Sequence, residues 1–229
     1  IRRQRQMCIR DRVRRLLMNL ANHYWFFKSA IPPRICDEII KYGLKQQEQV
    51  ALTGKQGNVD SKDLCEKDIK QLYKKRKSNV AWMNDRWVYK EIQPYINIEN
   101  KNAGWNFEWN WSESCQFTKY EGSKKQHYDW HCDSSELPYD KPDDSNTHGK
   151  VRKLSATISL VDSEEYEGGD FEFDFRNNDD GSNIPHVCKE IKTKGSMVVF
   201  PSFVWHRVKP VTAGTRYSLV IWNLGWPFR

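Results

Sequence analysis

At Trp105 the hydrophobic period of this chain changes to two. Phe107, Trp109 and Trp111 alternate with Glu108 and Asn110, the repeat of a strand with one buried face. Further strand runs are read at 115–121, 126–132, 153–161, 170–175, 196–200, 204–209 and 215–222. Between them lie turn-rich stretches at 138–149, Gly168-Gly169, 177–185 and Gly214. Seven or eight short strands broken in this way predict a sandwich, jelly roll or barrel. The stretch 138–149 reads as a mobile surface loop of the kind that acts as a lid beside a site.

The residues before Trp105 have a different texture. Pro32 and Pro33 open a segment in which Ile31, Ile35, Ile39, Ile40 and Leu44 fall at helical spacing. The polar stretch 45–61, with Gly54 and Gly57, reads as a loop. A second helix is expected over 62–75. A third is expected over 80–95, with Trp82, Val88 and Ile92 on its apolar side and Pro94 near its end. The run Lys74-Lys75-Arg76-Lys77 reads as a solvated helix end, since helix C-termini favour cations, with contact to an acidic substrate as the alternative. The domain reading is a leader at 1–17, a mainly helical support at 18–104 and a β core at 105–229, the last two forming one unit.

Charge and cysteine content narrow the function classes. The net charge is +7, but residues 1–17 hold seven Arg and one Asp, leaving 30 Lys and Arg against 29 acidic residues in the rest. The stretch QRQMCIRDR at 4–12 resembles a translated sequencing-adapter scar, with Met18 as the expected start; a basic arm for an anionic surface is the alternative reading. Without the leader the chain is nearly neutral, which argues against a nucleic-acid groove. No apolar run reaches the roughly 18 residues of a membrane span, and none forms a secretory signal. Six cysteines without a C-x-x-C pair read as reduced thiols, so a cytoplasmic setting is expected.

The chemistry concentrates in two places. The first is His131-Cys132-Asp133. Residues two apart on a strand point the same way, so His131 and Asp133 can face one point. The second is Val204-Trp205-His206-Arg207-Val208, which can supply a third ligand in His206. Two imidazoles and a carboxylate on one face of an octahedron leave three positions open, the arrangement of non-haem Fe(II) oxygen chemistry. Ten positions beyond His206 stands Arg216, with Ser218 and then Trp222 on the same strand parity. An Arg on a buried strand needs an anion, and a dicarboxylate co-substrate would be one. Each residue also has a bland reading: His131 as a core histidine, Asp133 as a turn residue, and Gly168-Gly169 as a plain turn with no phosphate role. His127, His148, His186 and His23 show no partner motif and read as structural or surface residues, while Trp109, Trp111 and Trp130 read as core.

Taken in order, these pieces resemble the prolyl 4-hydroxylase-type branch of the Fe(II)/2-oxoglutarate dioxygenases. The carrying motifs are Tyr120 through His131-x-Asp133; Arg152-Lys153-Leu154-Ser155; Gly168-Gly169-Asp170-Phe171; Lys194-Gly195-Ser196; Val199-Phe200-Pro201-Ser202; and His206 through Pro210-Val211 and Gly214 to Arg216-Tyr217-Ser218. They span about residues 105–226. Arg216, where collagen-type members usually carry Lys, is similar to the bacterial and viral branch and to the oxygen-sensing prolyl hydroxylases. The resemblance implies a double-stranded β-helix (a cupin-like jelly roll) with N-terminal helices packed on the major sheet. It implies Fe(2+) on His131, Asp133 and His206, with 2-oxoglutarate and O2 as co-substrates and ascorbate as a candidate reductant. It gives Tyr120 as a hydroxyl donor to 2-oxoglutarate, with Tyr128 as the alternative, and Ser159 as a further contact; Tyr128 and Trp222 are candidates for the substrate pocket. The implied reaction hydroxylates a C–H bond, with 2-oxoglutarate going to succinate and CO2. A prolyl residue of a peptide or protein is the expected target. A free amino acid or other small molecule, and a silent jelly-roll binding module, are the competing readings. Oligomeric state is left open.

Overall fold

A computed structural model describes residues 18–52, 65–175 and 184–228. The leader 1–17, part of the expected loop at 53–61, the first residues of the expected second helix and most of the turn at 177–185 lie outside the described residues.

Two antiparallel sheets dominate. The larger runs β1 (Trp25–Phe27), β12 (Met197–Pro201), β8 (Val151–Ser159), β14 (Val211–Gly225), β6 (Cys115–Glu121), β4 (Asn79–Met83) and β2 (Gln49–Val50), with β5 (Trp111–Ser112) and β9 (Tyr166–Gly168) also paired to β14. The smaller runs β11 (His186–Val187), β10 (Phe171–Asp174), β13 (Trp205–Val208), β7 (His127–His131) and β3 (Arg76–Lys77). Neighbours in each sheet are rarely neighbours in sequence, as the strand spacing predicts for a jelly roll. Three helices precede the core: α1 (Pro33–Gly43), α2 (Glu66–Lys75) and α3 (Arg86–Asn102). None is long and apolar enough to cross a membrane among the described residues.

Strand parity divides the interior in two. On β12, Met197 and Val199 share a buried cluster with Ile35 and Ile39 of α1 and Val88, Ile92 and Ile96 of α3. Val198 and Phe200, turned the other way, join Tyr120, Phe171, Phe173, Val204, Val208 and Val211, a cluster drawn from both sheets. β14 obeys the same rule. Leu219 and Ile221 belong to the cluster that includes the helices, so Arg216, Ser218 and Trp222 take the opposite face.

Three local expectations need correcting. Residues 80–83 form a strand rather than helix: Val80, Ala81 and Met83 are buried and β4 pairs with β6 over its whole length. Trp82, which suggested helical spacing, is exposed. The helix begins at Arg86 instead and continues past Pro94 to Asn102. A proline inside a helix costs about 3 kcal/mol. Burial of Val88, Ile92 and Ile96, each completely enclosed, contributes roughly 1.5–3 kcal/mol apiece and outweighs it. Finally, the alternation from Trp105 yields paired strand only at Trp111–Ser112. Asn106 adopts φ +52° and breaks the extended run, and Asn100 takes over the hydrogen bonds of residues 106 and 107.

α3 also carries a buried acid. Glu99 is fully enclosed, neither carboxylate oxygen has a hydrogen-bond partner, and burial pushes its pKa up to about 9. The folded chain therefore holds a proton that the unfolded chain releases near its ordinary value of 4.5. Stability should fall as pH rises through the interval between those two values. Glu99→Gln keeps the shape and removes the ionisation. Thermal melts should show the variant more stable than the parent at pH 8 by on the order of 1–3 kcal/mol, with the gap closing by pH 5. Equal melting temperatures at pH 8 would mean that Glu99 has found a polar partner.

Candidate metal centre and its cleft

His131 ends β7 and His206 lies on β13, directly across from it in the ladder of the smaller sheet. Their rings are 4.1 Å apart between centroids. Asp133 lies beyond the end of β7, so strand parity is not what aims it. Its backbone N–H donates to the Ser202 carbonyl at 2.8 Å, and the Ser134 N–H donates to the same oxygen at 2.9 Å. Ser202 follows β12, and its hydroxyl meets that of Ser155 on β8 at 2.9 Å. The Phe200-Pro201-Ser202 segment thus fixes the carboxylate from outside its own strand. Asp133 Oδ1 is 3.8 Å from His131 Nε2, and Oδ2 is 3.6 Å from His206 Nε2. One ligand atom from each residue falls within 4.8 Å of the others.

The imidazoles are held in the tautomer a metal requires. His131 Nδ1 is 2.7 Å from the Asp129 carbonyl and His206 Nδ1 is 2.9 Å from the Val204 carbonyl. A carbonyl only accepts, so each Nδ1 carries the proton and each Nε2 presents its lone pair to the carboxylate side. Burial, reinforced by His206, pushes the His131 pKa well below its ordinary value, which keeps the ring neutral. Burial alone would raise Asp133. The neighbouring imidazoles, Arg152 and a hydrogen bond from Ser155 overcome it and hold the carboxyl below its usual range, so it stays charged. Two imidazoles presenting their Nε2 atoms and one carboxylate suit a divalent cation and match the Fe(II) donor set.

Behind the triad the larger sheet turns a polar row toward the smaller one. Arg216 pairs across the ladder with Tyr120, and Ser218 pairs with Thr118 on one side and Ser159 on the other. Arg216 is 1% exposed, yet no carboxylate of the described residues lies within ion-pair distance. Its Nη1 donates to Ser218 Oγ at 3.3 Å, and its Cζ is 5.5 Å from the Tyr120 ring centre. Ser159 gives its hydroxyl proton to the Val161 carbonyl at 2.9 Å, which leaves it only an acceptor. Gly169, at φ +62°, is required here: a Cβ would come within 3.1 Å of Arg216 Cδ and 2.9 Å of Val211 Cγ2. The Gly-Gly pair, expected as a plain turn, instead closes β9 at Gly168, and Gly169 beyond it makes room for the guanidinium.

In front of the triad opens a cleft of about 1530 Å³. Tyr128 stacks on His131 at 3.4 Å, and burial pushes its pKa up to about 12. Trp222 lines the cleft beside Trp82 and lies 4.0 Å from the Arg152 guanidinium. Arg152 is neutralised by Glu113, which also accepts from the Tyr139 hydroxyl at 2.8 Å. The loop after Pro138 lies on the surface but is cross-braced. Residues 139 and 149–150 exchange backbone hydrogen bonds, and Thr147 donates to Asp144 at 2.7 Å. Among the other histidines, His127 faces the Lys74 and Lys125 carbonyls and His186 faces Tyr24, so neither joins the triad. Two participants had no readable role in the sequence. Ser202 acts through a backbone carbonyl, which any residue carries, and Arg76 is buried where its basic run suggested a solvated end.

Residues 115–223 match the model of the 2OG-Fe(II) oxygenase superfamily. A PKHD-type hydroxylase of Pseudoalteromonas atlantica is 30% identical over 109 residues, covering 47% of this chain and 41% of that protein. One from Hyphomonas neptunium is 38% identical over 69 residues, covering 30% and 27% respectively. The chain thus spans less than half the length of these curated relatives. Among solved structures, a viral collagen prolyl hydroxylase from Paramecium Bursaria Chlorella virus-1 has a TM-score of 0.56 at 18% identity, covering 90% of this chain and 97% of that one. A Trichoplax adhaerens prolyl hydroxylase, solved with a peptide fragment of the hypoxia inducible factor oxygen degradation domain, has a TM-score of 0.59 at 15% identity and covers 95% and 91%. These neighbours share the fold.

Proposed function

We propose, from the premise that residues 115–223 are a 2OG-Fe(II) oxygenase core of the prolyl hydroxylase-like kind, that this chain hydroxylates a prolyl residue of a peptide or protein. The observation that carries the reading is the buried triad of His131, Asp133 and His206, with both Nε2 atoms directed to the Asp133 carboxylate. These residues would hold Fe(II) and leave three positions free. The bound iron would supply oxygen activation coupled to the conversion of 2-oxoglutarate to succinate and CO2.

The chain's own residues do the rest. Arg216 receives the far carboxylate of 2-oxoglutarate in a site enclosed enough to give the charge pair full weight. Ser218 and Tyr120 stand beside it to add hydroxyl contacts, while the Ser159 hydroxyl is committed to the Val161 carbonyl and has no proton to offer a carboxylate. Trp222 lines the cleft as an apolar wall for a pyrrolidine ring, and Tyr128, whose faces are taken by His131 and Arg76, presents its edge beside it. A cleft of about 1530 Å³ exceeds the roughly 300–1,000 Å³ of small-molecule pockets, which favours a peptide over a free amino acid.

The test is succinate release with Fe(II) and 2-oxoglutarate, with and without ascorbate, across proline-containing peptides, with mass detection of one added oxygen. A peptide gaining 16 mass units at proline in step with succinate is the expected result. Release of succinate with oxygen added only to a free amino acid would replace the peptide reading. Absence of succinate with any partner would leave a binding module.

A further inference from the structure

Three guanidiniums stand around the site, and two are accounted for. Arg152 is paired with Glu113, and Arg216 faces the co-substrate row. The third, Arg76 on β3, has no such partner. It is 5% exposed, its Nε donates to Ser78 Oγ at 3.1 Å, and its buried Nη2 has no hydrogen-bond partner. No carboxylate of the described residues lies within ion-pair distance of it. Its Cζ sits 4.3 Å from the centre of the Tyr128 ring, whose other neighbour in the stack is His131. Arg76, Tyr128, Asp133 and Trp222 all line the same cleft.

A guanidinium does not shed its charge, and enclosing one without an anion is costly. The ring of Tyr128 offsets part of that cost through its face, but it cannot accept in the plane of Nη2. A second orphan donor lies in the same cleft: Trp222 Nε1 is buried and also lacks a partner. The cleft is thus lined by two residues that each carry a donor the chain leaves unpaired, one of them permanently charged.

We propose that Arg76 is a specificity residue that receives a carboxylate of the substrate, one layer of Tyr128 away from the metal centre. The proposal rests on the oxygenase reading for what the cleft is, and adds that the substrate is acidic next to the residue that reacts. The carboxylate can be the α-carboxylate of a terminal proline or the side chain of an acidic neighbour. Two probe pairs separate these sources: N-acetylproline against N-acetylprolinamide, and N-acetyl-Pro-Glu-amide against N-acetyl-Pro-Gln-amide. Calorimetric titration into the full chain should show the acid of one pair binding at least about tenfold tighter than its amide. Arg76→Gln should erase that preference while leaving the amide's affinity in place, and Arg76→Lys should keep part of it. Because Arg76→Gln removes an unpaired buried charge, its melting temperature should not fall, which separates loss of recognition from loss of fold.

Equal affinity for acid and amide in both pairs, no binding by any of the four, or a preference that survives Arg76→Gln would overturn the proposal. So would a loss of 2-oxoglutarate affinity in Arg76→Gln as large as the lost preference, which would put the co-substrate at this arginine. The two readings fail separately. If no peptide releases succinate while the acid preference holds and depends on Arg76, the oxygenase reading falls and this one stands. If succinate forms with acids and amides bound alike, the reverse holds.

Discussion

Asp133→Ala is expected to abolish turnover, cutting succinate release by at least about a thousandfold. Metal ions contribute several kcal/mol to a reaction barrier, and each 1.36 kcal/mol is a factor of ten in rate. Asp133 is the only carboxylate in the triad, and its oxygens approach both Nε2 atoms, at 3.8 and 3.6 Å. Without it only the two imidazoles remain, and neither carries a negative charge to offset that of a divalent ion. The effect should appear in binding as well as rate. A metal that binds the folded state raises stability by about 2.7 kcal/mol at a hundred times its Kd. Melting curves with and without Mn(II) should therefore separate for the parent chain and coincide for Asp133→Ala. Curves that separate equally for both would remove Asp133 from the ligand set. The metal-free melting temperatures should be similar, because the backbone bonds from residues 133 and 134 to the Ser202 carbonyl do not need the carboxylate.

Arg216→Ala is expected to act with opposite signs on two measurements. Affinity for 2-oxoglutarate should drop on the order of 10²–10³-fold, as when one member of a buried, hydrogen-bonded charge pair is removed. Stability without co-substrate should hold or rise. Arg216 is enclosed with only Ser218 as a hydrogen-bond partner, so the empty chain carries an uncompensated charge that the alanine removes. The cavity left by the lost side chain works against this gain, so a modest net change in melting temperature is expected. An arginine buried for structural reasons would behave differently: the variant would melt early and bind 2-oxoglutarate normally. Calorimetry of 2-oxoglutarate with Mn(II)-loaded protein, beside melting curves of the apo chain, distinguishes the two outcomes.

What could be read in advance follows from which interactions are local. The strand at 115–121 and the helix from Pro33 were legible because alternation and helical spacing are written within a few residues. Residues 80–83 were misread because their fate is decided by β6, more than thirty positions away, which recruits them as a neighbouring strand. Pro94 suggested an end that three enclosed side chains override. At the site, His131, Asp133, His206 and Arg216 were legible as residue types at telling intervals, but the device that orients Asp133 was not. That device is the main-chain oxygen of Ser202, and a backbone group leaves no trace in side-chain identity. Arg76 shows the same limit from the other side. Its basic run has the composition of a surface, and only its pairing with Tyr128 through β3 places it inside.

The rings of His131 and His206 are each steered by the carbonyl of the residue two positions earlier, at Asp129 and at Val204. Every amino acid brings a carbonyl, so the exposed side chain at 129 can change without rotating the His131 ring, while Val204 is held by its packing in the inner cluster and not by its role toward His206. The reactive centre is thereby insulated from changes around it. A lineage carrying this scaffold can revise the cleft around the triad and still inherit the same orientation of both rings.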